Sequence, residues 1–130
     1  MGRSILTHGP RGTRARPQRI QPKLKVWVVF GSRVKFGDGR ARLLELVDEL
    51  GSLRRAVGRV GMSYRAAWGY FRELERASGV KVLEQIPGAG PRAGTRLTAE
   101  GRALIARFRR FQAGIDTSSR RGFARIFSDR

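Results

Sequence analysis

Two helical apolar patterns separated by a glycine constrain this chain more than any other feature, and they lie between Gly51 and Ala77. The first pattern has apolar residues at i, i+3, i+4 and i+7, on one face of a helix: Leu53, Ala56, Val57 and Val60. Gly61 should end this helix, because glycine adopts the left-handed conformation without a Cβ penalty. Ser63 is a suitable N-cap for a second helix, since its hydroxyl can accept a free backbone N–H.

The second helix is amphipathic. Its apolar side consists of Tyr64, Ala67, Trp68, Phe71 and Leu74. Its polar side consists of Arg65, Ala66, Gly69, Arg72, Glu73 and Arg76. A short helix, a tight turn and a longer helix with exposed arginines are typical of a helix-turn-helix, although a plain helical hairpin in a small bundle has the same spacing. The basic side and the short side chains at the start of the helix favour the helix-turn-helix, because they allow a phosphate to approach the backbone.

The charge of the chain indicates the class of its partner. The formal net charge is +18 and the calculated pI is about 11.9. Such a charge is typical of proteins that bind polyanions, nucleic acid first and anionic membrane surfaces second. Most of the excess lies at the two ends, where residues 1–25 carry +7 and residues 101–130 carry +6.

Several classes of protein are disfavoured by composition. The chain has no cysteine, and its single histidine, His8, lies in a segment rich in Gly, Pro and Arg, so thiolate metal sites are excluded. The acidic residues lie at the spacings of surface helices, with no nucleophile and base among them, and we therefore expect no enzyme: Glu45, Asp48, Glu49, Glu73 and Glu75. No signal peptide or membrane-spanning run is present, so we expect a soluble, cytoplasmic protein associated with the nucleoid.

The composition predicts a disordered basic arm over residues 1–22, a folded domain over 23–115 and a short basic tail over 116–130. The domain opens with a strand-like stretch, Lys23–Phe36, in which Gly31 and Ser32 mark a bulge or a turn. A supporting helix should follow, with Asp38 as its N-cap, Leu50 as its last residue and Gly51 as its C-cap.

A β-hairpin is predicted after the helix-turn-helix. Val80–Ile86 forms its first strand, Pro87–Gly94 its loop and Thr95–Leu97 its returning strand. A surface loop without a role is the alternative. A hairpin that carries Arg92 and Arg96 with no acid between them would clamp a phosphate backbone or enter a minor groove.

The last helix is predicted from its N-cap, Thr98, to about Ala113. Its apolar residues are spaced 4, 3 and 4 apart: Leu104, Phe108, Phe111 and Ile115. Such a seam either folds back on the core or pairs with its copy in a dimer, and we favour the dimer because two half-sites add affinity and specificity. We assign five residues to the dimer interface: Trp27, Val29, Leu104, Phe108 and Phe111.

The sequence Gly-Met-Ser-Tyr-Arg-Ala-Ala-Trp at 61–68 resembles the helix-turn-helix of ModE-type molybdate-responsive transcription regulators. The hallmark of that family is a Ser-Tyr-x-x-Ala-Trp run that opens the recognition helix. Gly51-Ser-Leu53 and Leu97-Thr-Ala-Glu-Gly101 also match, and the general layout is similar to that of LysR-type regulators. The resemblance covers about residues 23–112.

The resemblance implies a mainly α fold with a small β component: a winged helix-turn-helix with an N-terminal strand, a three-helix core, a β-hairpin wing and a C-terminal dimerisation helix. Carried over by position, the residues that face DNA are Ser63, Tyr64, Arg65 and Arg72 on the recognition helix, and Arg92 and Arg96 on the wing. Trp68 is implied to be a core residue, stacked with Tyr64 and Phe71. The ring of Tyr64 is expected to pack inward while its hydroxyl reaches a phosphate.

The chain departs from the family in one respect. Full-length members carry oxyanion-binding modules after this region, and we find no Ser-Ala-Arg-Asn type motif here. We therefore expect no molybdate or other cofactor in this chain, and any effector is expected to be sensed by a separate protein.

The function predicted first is that of a dimeric transcription regulator that binds double-stranded DNA at an inverted repeat. The alternative is a basic protein that binds nucleic acid without sequence preference, in nucleoid packaging or RNA binding.

Overall fold

Four helices and two short β-hairpins make up the part of the chain, residues 17–88 and 94–128, that the computed structural model describes. In chain order they are β1 (Val28–Phe30), β2 (Val34–Phe36), α1 (Asp38–Leu50), α2 (Leu53–Val60), α3 (Tyr64–Ser78), β3 (Leu83–Ile86), β4 (Gly94–Leu97) and α4 (Ala99–Phe127). The mainly helical architecture with a small β component is as predicted. Arg92 and most of the predicted basic arm lie outside the described residues.

The turn between α2 and α3 has the conformation that the sequence predicts. Gly61 follows α2 in the left-handed region, with φ of 71°, and its N–H donates to the carbonyl of Val57. The Ser63 hydroxyl accepts the N–H of Ala66 at 3.0 Å and so caps α3. Ser52 caps α2 in the same way, through the N–H of Arg55 at 3.1 Å. Each cap stabilises its helix by about 1 kcal/mol.

The N-terminal stretch forms a hairpin rather than one strand. β1 pairs antiparallel with β2, so that Val28 lies opposite Phe36, and the chain turns at Gly31 with φ of 66°. Of the two alternatives at Gly31 and Ser32, the turn is therefore correct. The predicted N-cap of α1 is wrong by one residue, because Gly37 occupies that position and the Asp38 carboxylate accepts hydrogen bonds from α4 instead.

The core is formed by α1, α2 and α3. It is covered by β2, β3, β4 and α4. Its fully buried side chains include Phe36, Leu43, Leu44, Val47, Leu53, Phe71, Leu74, Val82, Leu83 and Phe108. Phe108 packs edge-to-face on Phe36, with the ring centres 5.3 Å apart. The assignment of Phe108 to a dimer interface is thus wrong, because its side chain is 2% exposed within one chain. The seam on α4 folds back on the core at this residue.

α4 is longer than predicted. It continues without a break to Phe127, so the segment from residue 116 is helical instead of an irregular tail. No proline interrupts the segment, and its one glycine, Gly122, costs only about 1 kcal/mol of helix propensity. Asp116 and Arg120 add an i, i+4 ion pair at 3.0 Å.

The second hairpin is held against the helices by its backbone. β3 starts at Leu83, later than the predicted Val80, and pairs with β4 so that Leu83 lies opposite Leu97. The N–H of Thr95 donates to the carbonyl of Gly51 at 3.2 Å, and that of Thr98 donates to Val82 at 3.0 Å. These bonds fix the hairpin beside the helix-turn-helix.

Gly101 allows the start of α4 to approach β3. A Cβ at this buried position would lie 2.3 Å from the carbonyl oxygen of Val82, whereas a Cβ at Gly114, on the same helix, would meet no atom within 4 Å. We expect Gly101→Ala to lower the free energy of unfolding by about 1–3 kcal/mol, through overpacking. Gly114→Ala should raise it by about 0.5–1 kcal/mol, through helix propensity. Denaturant unfolding of both variants checks this, and equal effects would contradict it.

Candidate nucleic-acid interface

The polar side of α3 is open to solvent. Ala67, Phe71 and Leu74 are completely buried and attach the helix to the core. The opposite side is exposed along its length and consists of Arg65, Ala66, Gly69, Arg72, Glu73 and Arg76. We call these six residues the outer face of α3. Its exposure confirms the predicted partition of the helix.

Two arginines of the outer face are available to a ligand. Arg76 is paired with Glu73 at 2.8 Å. Arg65 and Arg72 form no ion pair within residues 17–88 and 94–128, and the Arg72 guanidinium lies 5.9 Å from the centre of the Trp68 ring. Both side chains can therefore offer the planar fork of donors that suits a phosphate or a guanine edge.

The first turn of α3 carries Tyr64, whose ring is half-buried between two neighbours. Trp68 meets it edge-to-face at 6.3 Å, and the Arg54 guanidinium lies 4.0 Å above it. Trp68 is itself half-buried, so the prediction that it is a core residue holds only for one side of the ring. The aromatic ring that contacts Phe71 is that of Tyr70, at 5.0 Å, rather than that of Trp68.

Sequence analysis did not identify Arg54 as a site residue. The helical period of α2 does place Arg54 on its polar side, together with Arg55 and Arg59. The apolar side consists of Leu53, Ala56 and Val57. Only the packing of α2 against the start of α3 brings Arg54 onto Tyr64.

The hairpin of β3 and β4 forms a groove with the helix-turn-helix, and we call this hairpin the wing. The groove has a volume of about 690 Å³ and is lined by Ser52, Arg54, Tyr64, Gln85, Ile86, Pro87, Gly88, Gly94 and Thr95. Arg96 is exposed at the edge of the wing, but it donates to Glu84 at 2.8 Å. The prediction overlooked this acid, because strand register rather than sequence distance places Glu84 opposite Arg96.

The remaining residues assigned to a dimer interface are partly exposed. Trp27, Val29 and Phe111 are each about half-exposed. Leu104 is half-buried, and with Phe111 it lines an apolar groove of about 540 Å³. Val28, Phe30, Val80 and Phe108 complete the apolar lining.

Three acidic residues of α1, Asp38, Glu45 and Asp48, form ion pairs that hold α4 to α1. Arg109 donates to both carboxylate oxygens of Glu45, at 2.9 and 3.0 Å, and also to Asp38. Arg102 donates to Asp48 at 2.9 Å. The Arg109 guanidinium lowers the pKa of Asp38, and Glu45 raises the pKa of Arg109.

The described residues contain neither a cluster of metal ligands nor a membrane-spanning helix. No group of three or more His, Cys, Asp or Glu side chains within residues 17–88 and 94–128 could hold a metal ion. In that same part of the chain, no helix combines the length and the apolarity that crossing a bilayer requires.

Comparison with known proteins found relatives that match about half to two thirds of the chain. No family model matches the chain. The molybdenum transport protein ModE of Azotobacter vinelandii is 33% identical over 88 residues, which is 65% of this chain and 33% of that protein. The molybdenum-pterin-binding protein MopB of Rhodobacter capsulatus is 32% identical over 81 residues, 62% of this chain and 30% of that protein. The transcriptional regulator ModE of Haemophilus influenzae is 30% identical over 66 residues, 51% of this chain and 26% of that protein.

Among solved structures, a CbnR_DBD–DNA complex has 28% sequence identity and a TM-score of 0.49, and the match covers 67% of this chain and 95% of that one. The chain spans about one third of the length of these ModE and MopB relatives. The predicted resemblance to ModE-type regulators is confirmed, as a similarity that covers about two thirds of this chain and one third of the A. vinelandii ModE protein.

Proposed function

We propose that this chain is a transcription regulator that binds double-stranded DNA sequence-specifically, with α3 in the major groove. The exposed outer face of α3, with Arg65 and Arg72 unpaired among the described residues, carries the proposal. An α-helix with its side chains fits the width of the major groove. The net charge of +18 and the similarity to the transcriptional regulator ModE of Haemophilus influenzae support it.

The roles of the residues follow from their positions. Arg65 and Arg72 are seven positions apart in sequence, so both point outward from the same side of α3, about 10 Å apart along its axis. This spacing, two turns of α3, suits contacts to base edges about three base pairs apart. Ser63 and Tyr64 lie at the N-terminus of α3, where free N–H groups and the helix dipole favour a phosphate. Arg54 and the wing arginines, Arg92 and Arg96, are proposed to contact the backbone and so set the register.

We further propose that the chain acts as a homodimer on an inverted repeat. The half-exposed Trp27, Val29 and Phe111, together with the apolar groove that includes Leu104, provide surface for a second copy. Such a dimer would present two α3 helices to half-sites about one turn of DNA apart. DNA binding is placed in residues 23–115. The proposal assigns no molybdenum or pterin ligand to this chain and leaves effector sensing to a separate protein.

Selection from a random DNA pool should yield an inverted repeat. Against the selected site, Arg65→Ala should lower affinity by about 5- to 150-fold, because one bidentate guanine contact contributes about 1–3 kcal/mol. Affinity for random duplex should change much less. Arg125→Ala removes the same charge from an exposed position near the end of α4 and is the control. Equal weakening of both duplexes by Arg65→Ala would favour binding without sequence preference.

Variants at Ser63 separate helix capping from DNA contact. Ser63→Ala should lower the free energy of unfolding by about 1 kcal/mol, because the N–H of Ala66 loses its acceptor. Ser63→Asp keeps a good cap and should preserve stability, but its carboxylate would repel a phosphate at the start of α3. We expect DNA affinity to fall at least about tenfold for this variant. If Ser63→Asp binds DNA as the wild type does, the N-terminus of α3 does not approach the backbone.

The oligomeric state can be measured by sedimentation velocity. We expect a dimer at micromolar concentration, and Phe111→Asp should convert it into a monomer, since a carboxylate would be buried in the interface. Val60→Asp is the control, because Val60 is exposed to a similar degree but lies on α2, away from the apolar groove. A monomeric wild type, or a dimeric Phe111→Asp variant, would rule out the proposed interface.

A further inference from the structure

A cluster of cations lies beside α3 on the flank opposite to the wing. It surrounds a cavity of about 510 Å³ lined by Arg33, Val34, Lys35, Arg40, Tyr70 and Glu73. Tyr64, which borders the groove at the wing, and Tyr70 are six residues apart, so they lie on opposite flanks of the outer face. The turn of the N-terminal hairpin lies close to the last turns of α3, because a Cβ at Gly31 would be 3.8 Å from that of Ala77.

Tyr70 connects this cluster to α3. Its hydroxyl donates to the backbone carbonyl of Lys35 at 2.6 Å, which fixes β2 against the helix. Burial raises the pKa of Tyr70 to about 12, so the hydroxyl remains a donor over the physiological range. The Arg40 guanidinium lies 4.9 Å from the centre of the Tyr70 ring, and this contact orients it.

The cations of the cluster are not neutralised. Six other arginines of the described residues are paired with carboxylates: Arg42, Arg76, Arg96, Arg102, Arg109 and Arg120. Arg33, Lys35 and Arg40 form no ion pair within residues 17–88 and 94–128, and the buried Nε of Arg40 has no hydrogen-bond acceptor. The one carboxylate in the lining, Glu73, is paired with Arg76, and the Lys35 ammonium lies 5.7 Å from the centre of the Trp27 ring. The three cations are therefore available to bind an anion.

We propose that Arg33, Lys35 and Arg40 bind the sugar-phosphate backbone of DNA, on the flank of α3 that the wing does not cover. This inference rests on the proposed function and extends it. When a helix occupies the major groove, the two phosphate rims run along its two flanks. Glu73 belongs both to the lining of the cavity and to the outer face of α3, so the cluster directly adjoins that face. DNA is then held at both rims, by the wing on one side and the N-terminal hairpin on the other.

The test is the salt dependence of DNA binding for Arg33→Gln and Arg40→Gln, measured with both the selected site and random duplex. Each lost phosphate contact should make the slope of log K against log salt shallower by about 0.9. At 0.15 M salt this corresponds to a loss of about fivefold in affinity, equal for both duplexes because phosphates carry no sequence information. Arg33 is exposed, whereas the Arg40 guanidinium packs over the Tyr70 ring, so the Arg33 variant reports on binding even if Arg40→Gln is destabilised.

Arg121→Gln is the matched control, because it removes one exposed charge on α4 far from the cluster in sequence. A slope for Arg33→Gln equal to that of wild type or of Arg121→Gln would overturn the proposal.

Titration with inorganic phosphate, followed by tryptophan fluorescence, tests whether the cluster is a site for a small anion instead. The proposal would also be overturned if Arg33→Gln abolished saturable phosphate binding but left the slope of log K against log salt for DNA unchanged. Failure of the selection to give any consensus would refute the proposed function, while the slopes on random duplex would still test the cluster.

Discussion

The return of α4 onto α1 is the contact on which the rest of the structure depends. Phe108 enters the core against Phe36, and the next residue, Arg109, joins Glu45 and Asp38 on α1. Burial of the Phe108 side chain contributes about 1.5–3 kcal/mol, whereas partly exposed ion pairs contribute about 0–1 kcal/mol each. Burial of Phe108 therefore contributes more to this docking than any single ion pair does.

This docking also positions the wing. The start of α4 presses on the backbone of Val82, where only a glycine at 101 leaves space, and the N–H of Thr95 bonds to Gly51 at the junction of α1 and α2. The wing is thus connected to both ends of the core. The bond between Thr95 and Gly51 holds the wing beside the helix-turn-helix and so defines the shape of the groove between them, which Ser52, Arg54 and Tyr64 line.

The docking of α4 on α1 also decides which exposed cations are paired with a carboxylate and which are not. Arg42, Arg102 and Arg109, on α1 and α4, form ion pairs with carboxylates of α1. Arg65 and Arg72 on α3, and Arg33 and Lys35 on the N-terminal hairpin, form no ion pair among the described residues. Part of the net positive charge is in this way concentrated beside the outer face of α3. Electrostatic attraction for a polyanion depends on that concentration more than on the total.

The sequence by itself determined the helices, the glycine turn at Gly61, the cap at Ser63 and the exposed side of α3, because these depend on periodicity and on contacts a few residues apart. It also carried the Ser-Tyr-x-x-Ala-Trp run on which the similarity to ModE-type regulators rests. Only the tertiary structure decided that Phe108 is a core residue, that Glu84 pairs with Arg96, and that Arg33 and Arg40 meet beside Tyr70. Each of these depends on strand register or on helix docking, which join residues far apart in the chain and leave no periodic signal in it.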